Sequence, residues 1–134
     1  ERWLEGDPAV IKAYEDITAI AREGKKALIN GDWKHLGYLM NENHRIQDSI
    51  ADSGEQNNYM IRVARKNGAL GAKLAGAGGG GTIIALTLEP ERTKEALLQA
   101  GADCFVELSP DAPGVTVEYF DELRDLEVAV GSDE

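Results

Sequence analysis

At 134 residues, 43% hydrophobic and 28% charged, the chain is long enough to bury a core and short enough to be one domain. Its formal net charge of −10 argues against general nucleic-acid binding. There is no signal-peptide pattern and no apolar run near the roughly 18 residues that would cross a bilayer, so the expectation is a soluble, cytoplasmic domain that acts on no membrane.

In chain order, Asp7 before Pro8 predicts an N-cap and a first helix reaching about Ile29, where Asn30-Gly31 supplies the stop. Val10, Tyr14, Ile17, Ala21 and Leu28 form its expected apolar stripe. Asp32 is expected to cap a second helix to about Ala51, with Trp33, Leu36, Met40, Ile46 and Ile50 inward. Its mid-helix polar patch, Asn41, Asn43 and His44, reads as a solvated face in preference to a substrate-facing one. Ser53 with Gln56 predicts a capping box for a third helix through Met60 and Ala64 to about Asn67, ended by Gly68. Arg62 and Arg65, three apart, read as surface residues.

The period then changes to extended runs, Ala69 to Ala75 and Thr82 to Leu88, expected to pair antiparallel. Pro90 opens a fourth helix to Ala100, with Gly101 as its stop. Cys104 to Leu108 reads as a third strand, 110–114 as a turn, and Val115 to Tyr119 as a fourth strand. A short helix from Phe120 to Leu126 and an acidic tail complete the chain. Cys104, the single cysteine, reads as a buried structural thiol. Three helices, then strand, strand, helix, strand and strand, predict an α+β fold with helices on one side of a sheet.

Between the first two strands lies Gly76-Ala-Gly-Gly-Gly-Gly81. Ordering Gly78 to Gly81 costs about 2–4 kcal/mol more backbone entropy than alanines would, a cost that close approach of an anion to bare backbone would offset. A hairpin turn alone needs two such residues. Gly76, Gly78 and Gly81 fit the G-x-G-x-x-G spacing, but that fingerprint requires a helix next, and Thr82-Ile-Ile-Ala-Leu-Thr-Leu88 is β-branched and followed by Pro90. A P-loop requires Lys and then Ser or Thr after its last glycine, and Thr82 comes directly after Gly81. No acid occurs between Glu55 and Glu89, whereas Arg62, Arg65, Lys66 and Lys73 do, so the loop sits in a cationic stretch. From Asp103 onward there are ten acids against Arg124 alone.

Gly71-Ala-Lys-Leu-Ala-Gly-Ala-Gly-Gly-Gly-Gly81, with Asn41-Glu-Asn-His44 and Ala64-Arg65 before Gly68-Ala69, resembles the C-terminal domain of the GHMP kinases, over residues 8–119. That superfamily includes galactokinase, homoserine, mevalonate and phosphomevalonate kinases and plant glucuronokinase. The resemblance implies a ferredoxin-like, four-stranded antiparallel sheet backed by helices. It implies a two-domain enzyme that moves a phosphoryl group from ATP, with Mg²⁺, to an alcohol or acid group of a small-molecule acceptor: a sugar, sugar acid or mevalonate-like compound. The family's Pro-x-x-x-Gly-Leu-x-Ser-Ser-type loop and its catalytic acid and base belong to the N-terminal domain and have no counterpart in residues 1–134. The chain, which starts at Glu1 close to Trp3-Leu4, is therefore expected to be a single-domain fragment whose partner is its own N-terminal ATP-binding domain. No residue here is expected to be catalytic or to bind metal. The expected phosphate or substrate contacts are Gly76, Ala77, Gly78, Gly79, Gly80 and Gly81. Lys73 is either a further positive charge there or a solvated surface lysine. Ala75 stands where the family usually has Thr or Ser.

A competing reading is a ferredoxin-like module that binds a metabolite or partner without chemistry, motivated by the missing base. An RNA-binding sheet would need surface aromatics beside basic residues, and Thr82 to Leu88 has neither.

Overall fold

The computed structural model describes residues 2–76, 81–106, 108, 111, 113 and 115–116. Helices α1 (Pro8–Ile29), α2 (Trp33–Ile50) and α3 (Glu55–Lys66) precede strands β1 (Ala69–Ala75) and β2 (Thr82–Thr87), and α4 (Pro90–Gln99) comes after them. Asp7 caps α1 through Oδ1, which accepts from Ala9 N at 2.9 Å, and Asp32 Oδ1 accepts from His35 N at 3.0 Å to start α2. Both N-caps are where the sequence puts them. Gly31, at φ +68°, turns the chain between the two helices.

The third cap differs. Gly54 is the N-cap residue of α3 and makes no side-chain bond, while Ser53 is buried with its hydroxyl unpartnered. Asp48 Oδ1 accepts from Ser53 N at 3.2 Å, which draws the segment inward and takes the serine out of capping reach.

β1 and β2 pair antiparallel from Ala75 opposite Thr82 to Ala69 opposite Thr87, with an irregularity between Ala69 and Gly71. Alternation puts Ala72, Leu74, Ile83 and Ala85 on one face and Gly71, Lys73, Ile84 and Leu86 on the other. The first face is covered by α3 and α4, where Met60, Ile61, Ala64 and Leu97 pack with Ala69 and Ala72. α4 is tied to the end of β2 by the buried Thr93 hydroxyl, 2.9 Å from both Thr87 Oγ1 and Asn67 O. On the other side, α2 packs against β1, and α1 packs on α2. The helices thus lie on both sides of the hairpin and not on the one side expected, because Gly71 has no side chain to keep α2 off the second face.

The apolar stripe of α1 agrees only in part with its expected positions. Val10 is buried and Ile17 half-buried as expected, whereas Tyr14, Ala21 and Leu28 are exposed and the small residues Ala13 and Ala27 are buried in their place. Cys104 is exposed, contrary to its expected burial. Residues 103–106 lie beyond α4 outside any helix or strand, and all are exposed, so no described element covers the thiol. Among the described residues the sheet has two strands. Residues 104–106 and 115–116, expected in a third and fourth strand, carry no strand where they are described, and Glu107, the turn's Pro110, Ala112 and Gly114, and 117–134, including the expected last helix, lie outside the described residues.

Candidate functional site at the end of the hairpin

The glycine stretch leaves β1 at Gly76 and enters β2 at Gly81, one residue outside the last pair, Ala75 with Thr82. Both have positive φ, +100° and +119°, and a Cβ built on either meets nothing within 4 Å. Glycine is required here by backbone conformation rather than by crowding, and the backbone at both ends is uncovered. Ala77, Gly78, Gly79 and Gly80 lie outside the described residues. Gly81 leads straight into a strand, which removes the dinucleotide-fold reading on structural grounds as well.

The edge of β1 away from β2 is finished by side chains. Asn41 Nδ2 donates to Leu70 O at 3.1 Å and Asn41 Oδ1 accepts from Ala72 N at 3.1 Å, so one carboxamide pairs with the strand as a neighbouring strand would. Further along the same edge, Lys73 Nζ donates to Leu74 O at 2.7 Å, and Gln47 Nε2 donates to Gly76 O at 3.4 Å. The first residue of the glycine stretch is thereby tethered to α2.

Asn41, Asn43 and His44 are not a solvated face. Asn41 is bound to β1, His44 is 8% exposed, and Asn43 lines a cleft between α1 and α2. His44 Nε2 lies 2.8 Å from Asn58 Oδ1, an oxygen that only accepts, so Nε2 carries the proton and Nδ1 is left buried without a partner. Asn58 Nδ2 in turn donates to Asp48 Oδ1 at 3.1 Å. A search for apolar positions passes over these residues. The available signal was Gly37, a helix-interior glycine, with Asn41 and His44 four and seven residues on along one face.

The bonds from Asn58 and Ser53 hold the Asp48 carboxyl below the usual Asp range. A lowered native pKa contributes stability that is present above the ordinary Asp value of about 3.9 and lost as pH falls through the native one. Asp48→Asn is therefore expected to cost about 0.5–1 kcal/mol at pH 7 and less as pH falls below about 4, in urea melts of both proteins across pH 3–7.

Lys73 is half-buried, with its pKa pushed down by burial, so it is not a solvated surface lysine. It lines the α1–α2 cleft of about 340 Å³ together with Lys25 and Asn43. The rest of that lining includes Ile20, Leu28, Leu36 and Met40. Gly24 also lines it, a helix-interior glycine that costs about 1 kcal/mol relative to alanine. Its added Cβ would only touch Leu36 Cδ1 at 3.6 Å. Arg62 and Arg65 are exposed, as expected. Among the described residues no three His, Cys, Asp or Glu side chains are grouped to hold a metal ion, and no helix is long and apolar enough to cross a membrane.

Residues 25–106 match the family model for the GHMP kinases C terminal. The chain belongs to the GHMP kinase C-terminal domain family. It is 41% identical over 81 residues to probable glucuronokinase 2 of Arabidopsis thaliana, a match that covers 58% of this chain and 22% of that protein. It is 36% identical over 94 residues to mevalonate kinase of Aeropyrum pernix, covering 69% of this chain and 29% of the relative. The crystal structure of L. major mevalonate kinase in complex with R-mevalonate superposes with a TM-score of 0.64 at 33% identity, over 74% of this chain and 30% of that one. The chain thus spans under a third of the length of these proteins. In this GHMP kinase domain the matched region takes in α2, α3, the hairpin with its glycine stretch, and α4.

Proposed function

We propose that this chain is the C-terminal domain of an ATP-dependent small-molecule kinase whose acceptor is a sugar, sugar acid or mevalonate-like compound. The observation that carries the reading is the pair Gly76 and Gly81, at positive φ at one end of the hairpin with open space where a side chain would be, in a domain whose relatives are kinases. Phosphoryl transfer is catalysed mainly by positioning and by charge stabilisation, so backbone N–H groups without side chains in the way suit the phosphate side of a cleft. Gly76, Ala77, Gly78, Gly79, Gly80 and Gly81 are the proposed contacts. Ala75 brings no hydroxyl, so in this reading the donors are main-chain. Lys73, tied to Leu74 O, adds positive charge to the strand that leads into the loop. The cationic stretch between Glu55 and Glu89 is compatible with a polyphosphate. Mg²⁺ would supply further neutralisation of that charge, with its ligands drawn from an N-terminal partner domain.

A second reading, a non-catalytic ferredoxin-like module that binds a metabolite or partner, draws support from the lack of a recognisable catalytic base in this chain. In both readings the proposed sheet gains two more strands from residues beyond α4. The experiment is a panel of acceptors, including glucuronate, galactose and mevalonate, offered with ATP and Mg²⁺ to the full-length protein while ADP release is followed. One acceptor is expected to raise ADP release well above the acceptor-free rate. Background release with every acceptor, from a folded protein, refutes the kinase reading and leaves the module.

A further inference from the structure

We propose that the cleft between α1 and α2 is a binding site for a small amphiphilic carboxylate, an apolar chain ending in one acid group. The inference goes beyond the kinase reading: neither Gly76 nor Gly81 lines the cleft, and Lys73, which that reading uses only as a nearby charge, is the one residue the two share. The cleft is an open groove of about 340 Å³, with Leu39 buried at its floor and Ala21, Lys25 and Leu28 exposed at its rim. Its walls are aliphatic, from Ile20 and Leu28 on one helix to Leu36 and Met40 on the other. No acid lines it, whereas two ammonium-bearing side chains, Lys25 and Lys73, do.

Lys73 supplies the independent observation. Its ammonium is half-buried, forms no ion pair with any described carboxylate, and spends one donor on Leu74 O. Two donors remain, and burial already disfavours its charge, a penalty that a carboxylate alongside would offset. The Asn43 side chain, on the same lining, provides a neutral donor. A single acid group matches one desolvated ammonium. A phosphate is better met by an arginine fork or by bare backbone N–H groups such as those of the glycine stretch, and the lining contains no arginine and no residue of that stretch. Gly24 adds a last point: alanine would fit at that position, yet the chain keeps glycine and the cleft stays open.

The test is isothermal titration of octanoate and of octan-1-ol into the full-length protein, with two variants. Octanoate is expected to bind about tenfold more tightly than the alcohol. Lys73→Met should abolish that preference while leaving the alcohol's affinity within about twofold. Gly24→Leu, which fills the cleft from α1 with a good helix former, should remove binding of both, with helical circular dichroism unchanged. Octanoate binding no tighter than octan-1-ol overturns the proposal. So does octanoate affinity that survives both substitutions, or the absence of octanoate binding at millimolar concentration.

Discussion

Gly71→Ala is expected to destabilise the chain by about 3 kcal/mol or more, a large share of a domain's usual 5–15 kcal/mol. A Cβ at position 71 would sit 2.6 Å from Gly37 Cα and 2.7 Å from Gly37 C, and in the reverse direction a Cβ on Gly37 would meet Leu70 C at 2.6 Å. These are backbone atoms of a helix and a strand, so no rotamer change relieves them. The helix must move away bodily. Doing so would stretch the Asn41 bonds to Leu70 and Ala72, one helical turn further along. Neither glycine is there for conformational freedom, since neither has positive φ, and Gly37 sits in the interior of α2 at a cost of about 1 kcal/mol relative to alanine. Gly24→Ala is the matched control: it changes a helix-interior glycine whose added methyl meets only a side-chain carbon at 3.6 Å. Guanidinium melts of the three proteins decide the matter. Gly24→Ala is expected to equal or exceed the wild type, and Gly71→Ala within about 1 kcal/mol of it would mean that the helix and strand are not in this contact.

Much of the architecture was legible because its signals are local. Asp7-Pro8, Asn30-Gly31, Asp32 and Pro90 each mark a helix end through one cap or one missing N–H, and the observed bounds agree with them closely. The change from helical period to short extended runs on either side of the glycines, β-branched in the second, likewise marked β1 and β2 and their antiparallel pairing. The features that were not legible depend on tertiary context. Tyr14 fits a helical stripe as well as Ala13 does, and only the closeness of α2 selects the alanine. Ser53-x-x-Gln56 has the pattern of a capping box, but a carboxylate at Asp48 pulls the Ser53 amide elsewhere. Lys73, Asn41 and His44 were the hardest. Their polarity argues for solvent at the level of one helix or strand, whereas a helix laid along an unfinished sheet edge needs polar atoms where it touches. For the glycine stretch the sequence carried both the family and the candidate contacts. The structure adds the conformation of its two ends and the tether from Gln47.

Asn41→Ala is expected to cost about 2–4 kcal/mol, because it leaves a carbonyl and an amide of β1 without partners in a half-buried strip between α2 and the strand. An unpaired strand edge elsewhere is met by water or by another chain, but here α2 covers it, so water cannot replace both bonds at full strength. Asn41→Asp separates the two contributions. The aspartate keeps an acceptor for Ala72 N–H but turns an oxygen toward Leu70 O, which should make it worse than alanine at pH 7. Protonation restores a donor to that position, so its native pKa should lie above the ordinary value of about 3.9, and stability relative to wild type should return as pH falls toward 4. Urea melts at pH 7, 5 and 4 read the energies, and amide hydrogen exchange at Ala72 reads the edge itself. Faster Ala72 exchange in Asn41→Ala than in Asn41→Asp at low pH is the expected pattern. A loss below about 0.5 kcal/mol in Asn41→Ala, with Ala72 exchange unchanged, would show that the carboxamide does not finish the sheet and that α2 is held to β1 without it.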